Sequence, residues 1–402
     1  MNRIARTWQS ALAAVLLPTA ALAAATPAHA DVTVTTSAVF NDPDGTAAEQ
    51  NRIRDHLVSL IDATPAGEQI TASVYTFTDS VAATALVAAR QRGVKVRLIV
   101  DDTTVTMSGG QYPALAVGLG TDRGQDSWVT ACPAGRGCIG SRVVSGDDPA
   151  INHNKFWLFS KVGGASDVVV QTSANLTTAQ RTGYFNNAVT IPDPGLYAIY
   201  QAYFADLLHY GTATAGLSDY YKTPTSTTGP YKAYFFPRHE AAGTAWNADP
   251  STDTVKLILD NVSCSGGTQI RVGINLFSRE EVARKLVSLA GSGCSVYLAA
   301  DGAPGSMSAG VTDIVSGRLT KRVECYENGA DGTRKGLHSK YLLIEGTYDG
   351  AADRKLVWTG SHNYTYSALR ANDETLLKID NAAVYDRFKA NHDRLMAYCA
   401  GS

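Results

Sequence analysis

Two stretches of the sequence carry the same pair of side chains in the same setting. INHNKFWLFS sets His153 and Lys155 one residue apart at the head of an apolar run, and GLHSKYLLIEG does the same with His338 and Lys340. On an extended strand, residues two apart share a face, so each histidine projects together with its lysine. Downstream, TSANLT pairs Ser173 with Asn175 and GSHNYT pairs Ser361 with Asn363 at the same spacing. Imidazole, ammonium, hydroxyl and amide together suit a tetrahedral phosphate. A neutral imidazole can attack phosphorus, a second imidazolium can protonate the leaving oxygen, and lysines with amide donors can hold the non-bridging oxygens. A phosphohistidine intermediate splits the displacement into two steps, with the second histidine turning from acid to base, and the scheme asks for neither metal nor cofactor. A lone His-x-Lys is ordinarily an exposed strand pair; two copies, each followed by Ser-x-Asn, are what point to chemistry.

The elements that must position these groups repeat as well. QITASVYTFTDSVAATALVAARQRGVKVRLIVDD, from Gln69, lies without gaps over QIRVGINLFSREEVARKLVSLAGSGCSVYLAADG, from Gln269, matching Phe77, Gly93 and Asp101 to Phe277, Gly293 and Asp301. Each copy reads as strand, capped helix, glycine stop, strand, with Ser278 and Glu281 expected as a capping box in the second copy. Each His-Lys strand then turns into a second apolar strand, KFWLF to DVVVQ and KYLLI to KLVWT, which predicts antiparallel neighbours. Both copies end in an amphipathic helix, the first begun by Asp193 and Pro194. Upstream, Thr46 and Glu49 should cap a helix burying Ile53, Leu57, Leu60 and Ile61. The fold class is therefore α/β: two pseudo-twofold repeats, each a mixed sheet flanked by helices. The repeats span 31–211 and 231–402, joined by the Gly, Thr, Ser and Pro-rich stretch 212–230.

Composition narrows the setting. At 402 residues and 45% hydrophobic, the chain can bury one large core or two moderate ones. Residues 1–30 read as a signal peptide: Arg3 and Arg6, an apolar run, then the small-residue site Ala28-His29-Ala30. A secreted, extracellular chain is expected, and no later segment is long and apolar enough to span a bilayer. Loss of Arg3 and Arg6, the only formally charged residues in that segment, takes the net charge from −2 to −4, unlike the balance of a polyanion binder. Six cysteines in an exported chain predict disulfides, with Cys132 to Cys138 as the local bridge. His56, His209 and His392 fall on predicted helices as partly exposed polar residues; His239 and His362 stay open.

HNK at 153 to 155 and HSK at 338 to 340, with TSAN and GSHN downstream, resemble the HxKxxxxD and GSxN signatures of the phospholipase D superfamily. The resemblance covers most of the mature chain in two copies. It implies a pseudo-twofold α/β fold, one active site at the interface of the repeats, and metal-independent phosphodiester cleavage through phosphohistidine. By that analogy His153 is the nucleophile and His338 the general acid. Lys155, Lys340, Asn175 and Asn363 grip phosphate, and Ser173 and Ser361 bind substrate beside them. The motif aspartate is replaced by Ser160 in the first copy and by Glu345 in the second, a loss shared by the similar phosphodiesterases that resolve protein–DNA adducts. Thr172 stands for the glycine of the first GSxN. Thirteen residues after each serine stand Asn186 and Glu374, where the family often holds the far nitrogen of a histidine. The expectation is that Glu374 backs His338 as the proton carrier and Asn186 orients His153 for attack.

Three functions of different classes follow. The first is a secreted phospholipase D acting on a phospholipid substrate at a membrane or micelle surface, with transfer to an alcohol as a variant of the same chemistry. The loop from Asp102 to Ile151, with Tyr112 and Trp128, is the expected substrate entrance or lipid contact. The second, an extracellular nuclease, ranks lower because an acidic chain lacks the basic footprint of a nucleic acid partner. The third is a non-catalytic lipid- or phosphate-binding protein. Both repeats lie in one chain, so a monomer can complete the site.

Overall fold

Strand and helix formation follow the repeat. In the computed structural model, which describes residue 1 and residues 32–143, 149–245 and 249–400, the first half contributes strands β1 (Ser37–Phe40), β2 (Gln69–Val74), β3 (Lys95–Val100), β4 (Trp128–Ala131), β5 (Lys155–Val162), β6 (Ala165–Thr172), β7 (Tyr184–Phe185) and β8 (Asn187–Pro192). The second half contributes β9 (Tyr231–Phe235), β10 (Val262–Ser263), β11 (Gln269–Ile274), β12 (Ser295–Asp301), β13 (Lys321–Asn328), β14 (Arg334–Leu337), β15 (Tyr341–Tyr348), β16 (Ala351–Gly360) and β17 (Thr375–Asp380). The signal-peptide reading of residues 1–30 falls on positions that, apart from Met1, lie outside the described residues. Among the described residues no helix is long and apolar enough to cross a membrane.

The first sheet runs β1-β8-β6-β5-β2-β3-β4 and the second β7-β14-β13-β12-β11-β15-β16-β17-β9, with β10 paired to β15. In both, the β-α-β unit gives parallel neighbours, β2 with β3 and β11 with β12, because its crossover helix returns the chain to the same end of the sheet. The His-Lys strands β5 and β15 sit beside them antiparallel, and each turns back into β6 or β16 as the apolar runs predict. The sheets are mixed and flanked by helices on their outer faces.

Apolar alternation on the inner faces builds one core shared by both halves. Phe156, Leu158, Val169 and Ile191 of the first sheet join Tyr341, Leu343, Val357 and Leu377 of the second, closed by the helices Pro194–Thr212 and Ala382–Tyr398. Separate cores lie under the outer helices of each half. Burial of this kind is worth roughly 1.5–3 kcal/mol per large apolar side chain.

The helix caps agree with the sequence except in one case. Thr46 and Glu49 form the reciprocal capping box, with Ile53, Leu57, Leu60 and Ile61 buried, and Asp193 caps the helix that Pro194 opens. Gly93 and Gly293 take φ of 93° and 97° at the helix ends, where a side chain would be strained. The capping box of Ser278 with Glu281 does not form. The helix Glu280–Gly291 has Arg279 at its N-cap with no side-chain cap. Arg279 is buried there by its ion pair to Asp253, 2.7 Å away, whereas Asp79 in the first half caps its helix directly.

Three cystine bridges form: Cys132–Cys138, Cys264–Cys294 and Cys325–Cys399. Of the entrance loop expected over 102–151, residues 144–148 lie outside the described residues and Ile151 lines the cavity beside His153, but the stretch directly after Asp102 is not an open loop. It folds into the helices Asp102–Thr106 and Tyr112–Leu119 and then into β4, which extends the first sheet beside β3. Trp128 is buried in the shared core, stacked on Phe204 at 6.0 Å, so it is not free to meet lipid, and Tyr112 packs partly buried against the first-half core. His392 is also not a partly exposed helix residue: it is fully buried, with Nδ1 3.0 Å from the Tyr341 hydroxyl. His56 is half-buried against Thr190, and His209 is exposed.

Candidate active site

The aligned aspartates at the ends of β3 and β12 start the construction. Asp101 accepts from the backbone N–H of Asn152 at 2.7 Å, and Asp301 accepts from that of Leu337 at 2.9 Å. Each carboxylate thus anchors the residue just before a histidine. The histidine backbones are then tied to the opposite half. His153 N–H donates to the Asp373 carbonyl, and Asp373 N–H donates to that of Ile151, both at 3.0 Å. In the mirror arrangement β14 pairs with β7, Leu337 opposite Phe185, and His338 N–H donates to the Phe185 carbonyl at 3.0 Å.

This backbone exchange decides which group backs which imidazole, and it reverses the expected pairing. The residue after Asp373 is Glu374, and the residue after Phe185 is Asn186. His153 Nδ1 therefore meets Glu374, 2.8 Å from Oε1 and 3.0 Å from Oε2, while His338 Nδ1 lies 3.1 Å from Asn186 Oδ1 and 3.1 Å from the Ser173 carbonyl. Pairing within each half had been expected because each backing residue follows the His-Lys motif of its own copy; the crossing arises because β7 and the segment before β17 reach across the pseudo-twofold axis.

The amide of Asn186 cannot turn round. Its Nδ2 donates to the Gln180 side chain and main chain, and its Oδ1 accepts from Ser173 Oγ at 2.9 Å, so only Oδ1 faces His338. His153 Nδ1 thus carries a proton toward Glu374; His338 Nδ1 faces the acceptors Asn186 Oδ1 and the Ser173 carbonyl, with Lys340 Nζ also 3.1 Å away, and both rings leave Nε2 for the cavity. Burial first, then Lys155 and Lys340, hold His153 well below the ordinary imidazole range. Burial, Lys340, Lys155 and His153 do the same to His338. Burial pushes Glu374 up to about 7, against the pull of the nearby lysines. The common cause is desolvation, which penalises every charge in this seam.

Both imidazoles line one cavity of about 490 Å³, together with Asn175, Asn363 and Glu374. Asn363 Oδ1 accepts from Leu276 N–H at 3.1 Å, which turns its amide N–H groups to other partners. Lys155 and Lys340 lie fully buried behind the wall, each Nζ donating to the carbonyl of its own histidine at 2.6 Å. Burial brings Lys155 down to about 7 and lowers Lys340 strongly in the same direction.

Ser173 and Ser361 are brought to the site but not to its cavity, contrary to the substrate-binding role expected. Ser361 Oγ donates to Glu374 as Ser173 Oγ does to Asn186, and each accepts a backbone N–H, from Thr375 and Asn187, at 3.0 Å. Fully buried, they position the groups that back the histidines. The replaced motif acids lie five residues up the strands, away from the cavity: Ser160 donates to Glu68 and accepts from Gln69 N–H, and Glu345 accepts from the Tyr385 hydroxyl. His362, inside GSHN, is buried against Phe236 and does not line the cavity.

Sequence reasoning missed three contributors. Tyr75 presents its ring to His153 with centroids 5.1 Å apart and lies 5.2 Å beneath Lys155 Nζ. Its aligned partner Asn275 lines the other side and donates to the Leu337 carbonyl at 2.9 Å. The ungapped repeat, which sets VYTF over INLF, held that signal. The third is Asp373, fully buried, whose carboxylate accepts from the N–H groups of Ile139 and Gly140, the latter at 2.6 Å. It locks the Cys132–Cys138 loop of one half onto the backbone beside His153 in the seam. Burial raises it to about 7. Nothing in its sequence position distinguishes it from its neighbours.

The family described as "Cardiolipin synthase, PLD-like domain" matches residues 57–208 and 263–396, both halves of the site. Among curated proteins no match was found. The fold resembles phosphatidylserine synthase from Haemophilus influenzae Rd KW20, at 12% identity and a TM-score of 0.56, over 90% of this chain and 86% of that one. It also resembles polyphosphate kinase from Porphyromonas gingivalis, at 13% identity and a TM-score of 0.53, over 90% of this chain, which spans half the length of that enzyme. Nuc from Salmonella typhimurium, a phospholipase D family member, matches 44% of this chain and 95% of its own at 23% identity and a TM-score of 0.31. With the duplicated His-Lys motif in both matched segments, the chain belongs to the phospholipase D superfamily, a family that acts on phosphodiester bonds.

Proposed function

We propose that the protein is a secreted phospholipase D that hydrolyses the headgroup ester of phospholipids. His338 takes up a second proton, on Nε2, as the anionic phosphate enters; His153 Nε2 then attacks phosphorus, the bond to the headgroup oxygen breaks, and His338 delivers that proton to the departing alcohol. A phosphatidyl group is then held on His153. Water, deprotonated by His338, attacks the phosphorus; the P–N bond breaks and phosphatidic acid leaves. An alcohol entering in place of water gives headgroup exchange by the same steps.

The crossed pairing supports His153 as nucleophile. Its phosphorylated ring is a cation, and the Glu374 carboxylate stands at the nitrogen that bears the remaining proton. Lys155 and Lys340 behind the wall, with the amides of Asn175 and Asn363, balance the charge of the non-bridging oxygens.

The observation that carries the choice of lipid is the wall of the cavity. It contains no lysine or arginine among the described residues, and Leu276 is exposed on it. A nucleic acid needs a cationic track along its backbone; a single zwitterionic headgroup does not. The test is headgroup release from phosphatidylcholine vesicles beside cleavage of plasmid and single-stranded DNA, with chelator present. Release of choline with intact DNA is expected; the reverse would make the chain a nuclease, and a strict need for added metal would overturn the phosphohistidine scheme. Mass spectrometry under alkaline conditions should find the adduct on His153, persisting in His338→Ala.

A further inference from the structure

A second cavity, of about 250 Å³, lies on the edge of the second sheet where β17 meets β9. Lys378 follows Glu374 by four residues, so along the strand it stands about 13 Å from the catalytic carboxylate. Lys378 and Lys232 are directly opposite each other in the β17–β9 register. Like charges in that position repel. Arg238 joins them in the lining. Among the described residues, no carboxylate comes within 4.0 Å of any of these three cations, although Asp349 also lines the cavity.

Three tyrosines build the walls and hold the cations in place. Lys232 Nζ sits over the Tyr234 ring at 5.2 Å, Lys378 Nζ over Tyr348 at 5.0 Å, and the Arg238 guanidinium over Tyr221 at 4.3 Å. Tyr234 and Tyr348 are buried. Ring faces attract a cation, the more strongly when water is excluded. They fix its position without cancelling its charge. The result is a concave, aromatic-walled cluster of three donors whose neighbouring lysines, with Asp349 beyond ion-pair distance, have no carboxylate in contact.

We infer that this cavity is an anion site for a phosphate-type oxyanion, distinct from the catalytic cavity and taking either free phosphate or the phosphate of a lipid headgroup. A tetrahedral oxyanion accepts from both ammonium groups and the guanidinium at once, and it relieves the repulsion between Lys232 and Lys378. The cavity volume suits one phosphate group.

The probes are inorganic phosphate, by equilibrium dialysis, and vesicles of phosphatidylcholine with or without phosphatidic acid, by cosedimentation in a His153→Ala background that prevents turnover. The readout is the change on substitution, which is independent of whatever the catalytic cavity binds and of whether the lipase reading holds. Lys232→Gln/Lys378→Gln should lose one bound phosphate per chain, and Arg238→Gln should weaken that site by about 10-fold. Unchanged far-UV circular dichroism and an unchanged urea midpoint in both variants establish that the fold is intact. Loss of phosphate together with loss of retention on phosphatidic acid vesicles assigns the site to lipid phosphate. Loss of phosphate with unchanged retention assigns it to the free ion. Unchanged phosphate binding overturns the inference, whatever the vesicles do, since general surface charge then explains any change in retention.

Discussion

His153 Nδ1 lies 2.8 Å from Glu374 Oε1, a contact between residues 221 positions apart that joins the two halves of the molecule. The reciprocal contact, His338 with Asn186, replaces the carboxylate by an amide. One imidazole therefore has a group that stabilises its cationic form, and the other has one that only orients it. Glu374→Gln should lower kcat by about 10²-fold, within the range of lost general acid–base assistance. Asn186→Ala, which leaves His338 the Ser173 carbonyl as acceptor, should cost about 10-fold. Steady-state kinetics on a soluble phosphodiester check both; equal losses would show that the asymmetry has no chemical consequence.

The pH dependence follows from Lys155, brought down to about 7 by burial. Lysine is charged below its pKa, so the positive charge behind the phosphate is present at pH 6 and lost as pH rises through about 7. Thus kcat/KM should decline above that point, while the kcat limb moves to higher pH once bound phosphate stabilises the ammonium. The acidic limb should lie below 6.5, where His153 gains a proton and can no longer attack. Lys155→Arg, which stays charged, should shift the basic limb upward at a reduced rate. A limb unmoved by this substitution assigns it to another group, His338 first, since the acid role needs its proton.

Asp373 makes the seam pH-sensitive in the opposite sense from an ordinary ion-paired carboxylate. Its pKa is raised to about 7 in the folded chain, so the folded state binds more protons than the unfolded one between about pH 4 and 7, and stability falls as pH rises through that window. Asp373→Asn keeps an acceptor for Ile139 and Gly140 and should remove its share of that slope, leaving the share of Glu374, while preserving activity. Asp373→Ala leaves those N–H groups buried without an acceptor, should cost about 1–3 kcal/mol, and should lower kcat by loosening the backbone beside His153. Urea melts at pH 5 and 8 with matched kinetics distinguish the three proteins.

The bridges differ in how much chain they close. Cys132–Cys138 spans 6 positions and Cys325–Cys399 spans 74. Loop-closure entropy assigns about 2 kcal/mol to the first and about 4 to the second. Denaturant unfolding of the two double Cys→Ser variants should follow that order. Activity should follow the reverse order, because the short bridge shapes the loop that holds Asp373.

Much of this architecture was legible because it depends on local patterning written twice. The strand pairs after His153 and His338, the helix caps other than that of Glu280–Gly291, and the glycine ends follow from residue type and spacing over a few positions. The convergence of two His-Lys pairs follows from their place in the repeat. What only the tertiary structure decided were relationships across the seam: Glu374 behind His153, Asn186 behind His338, the two serines turned to those residues, and Asp373 clamped on a distant loop. Which chain segment crosses a pseudo-twofold axis depends on how two folded sheets pack, and a one-dimensional pattern that repeats perfectly is equally consistent with pairing within halves or between them. The physical reason is that strand alternation sets the face a side chain takes, whereas the partner on that face is set by the packing of the shared core.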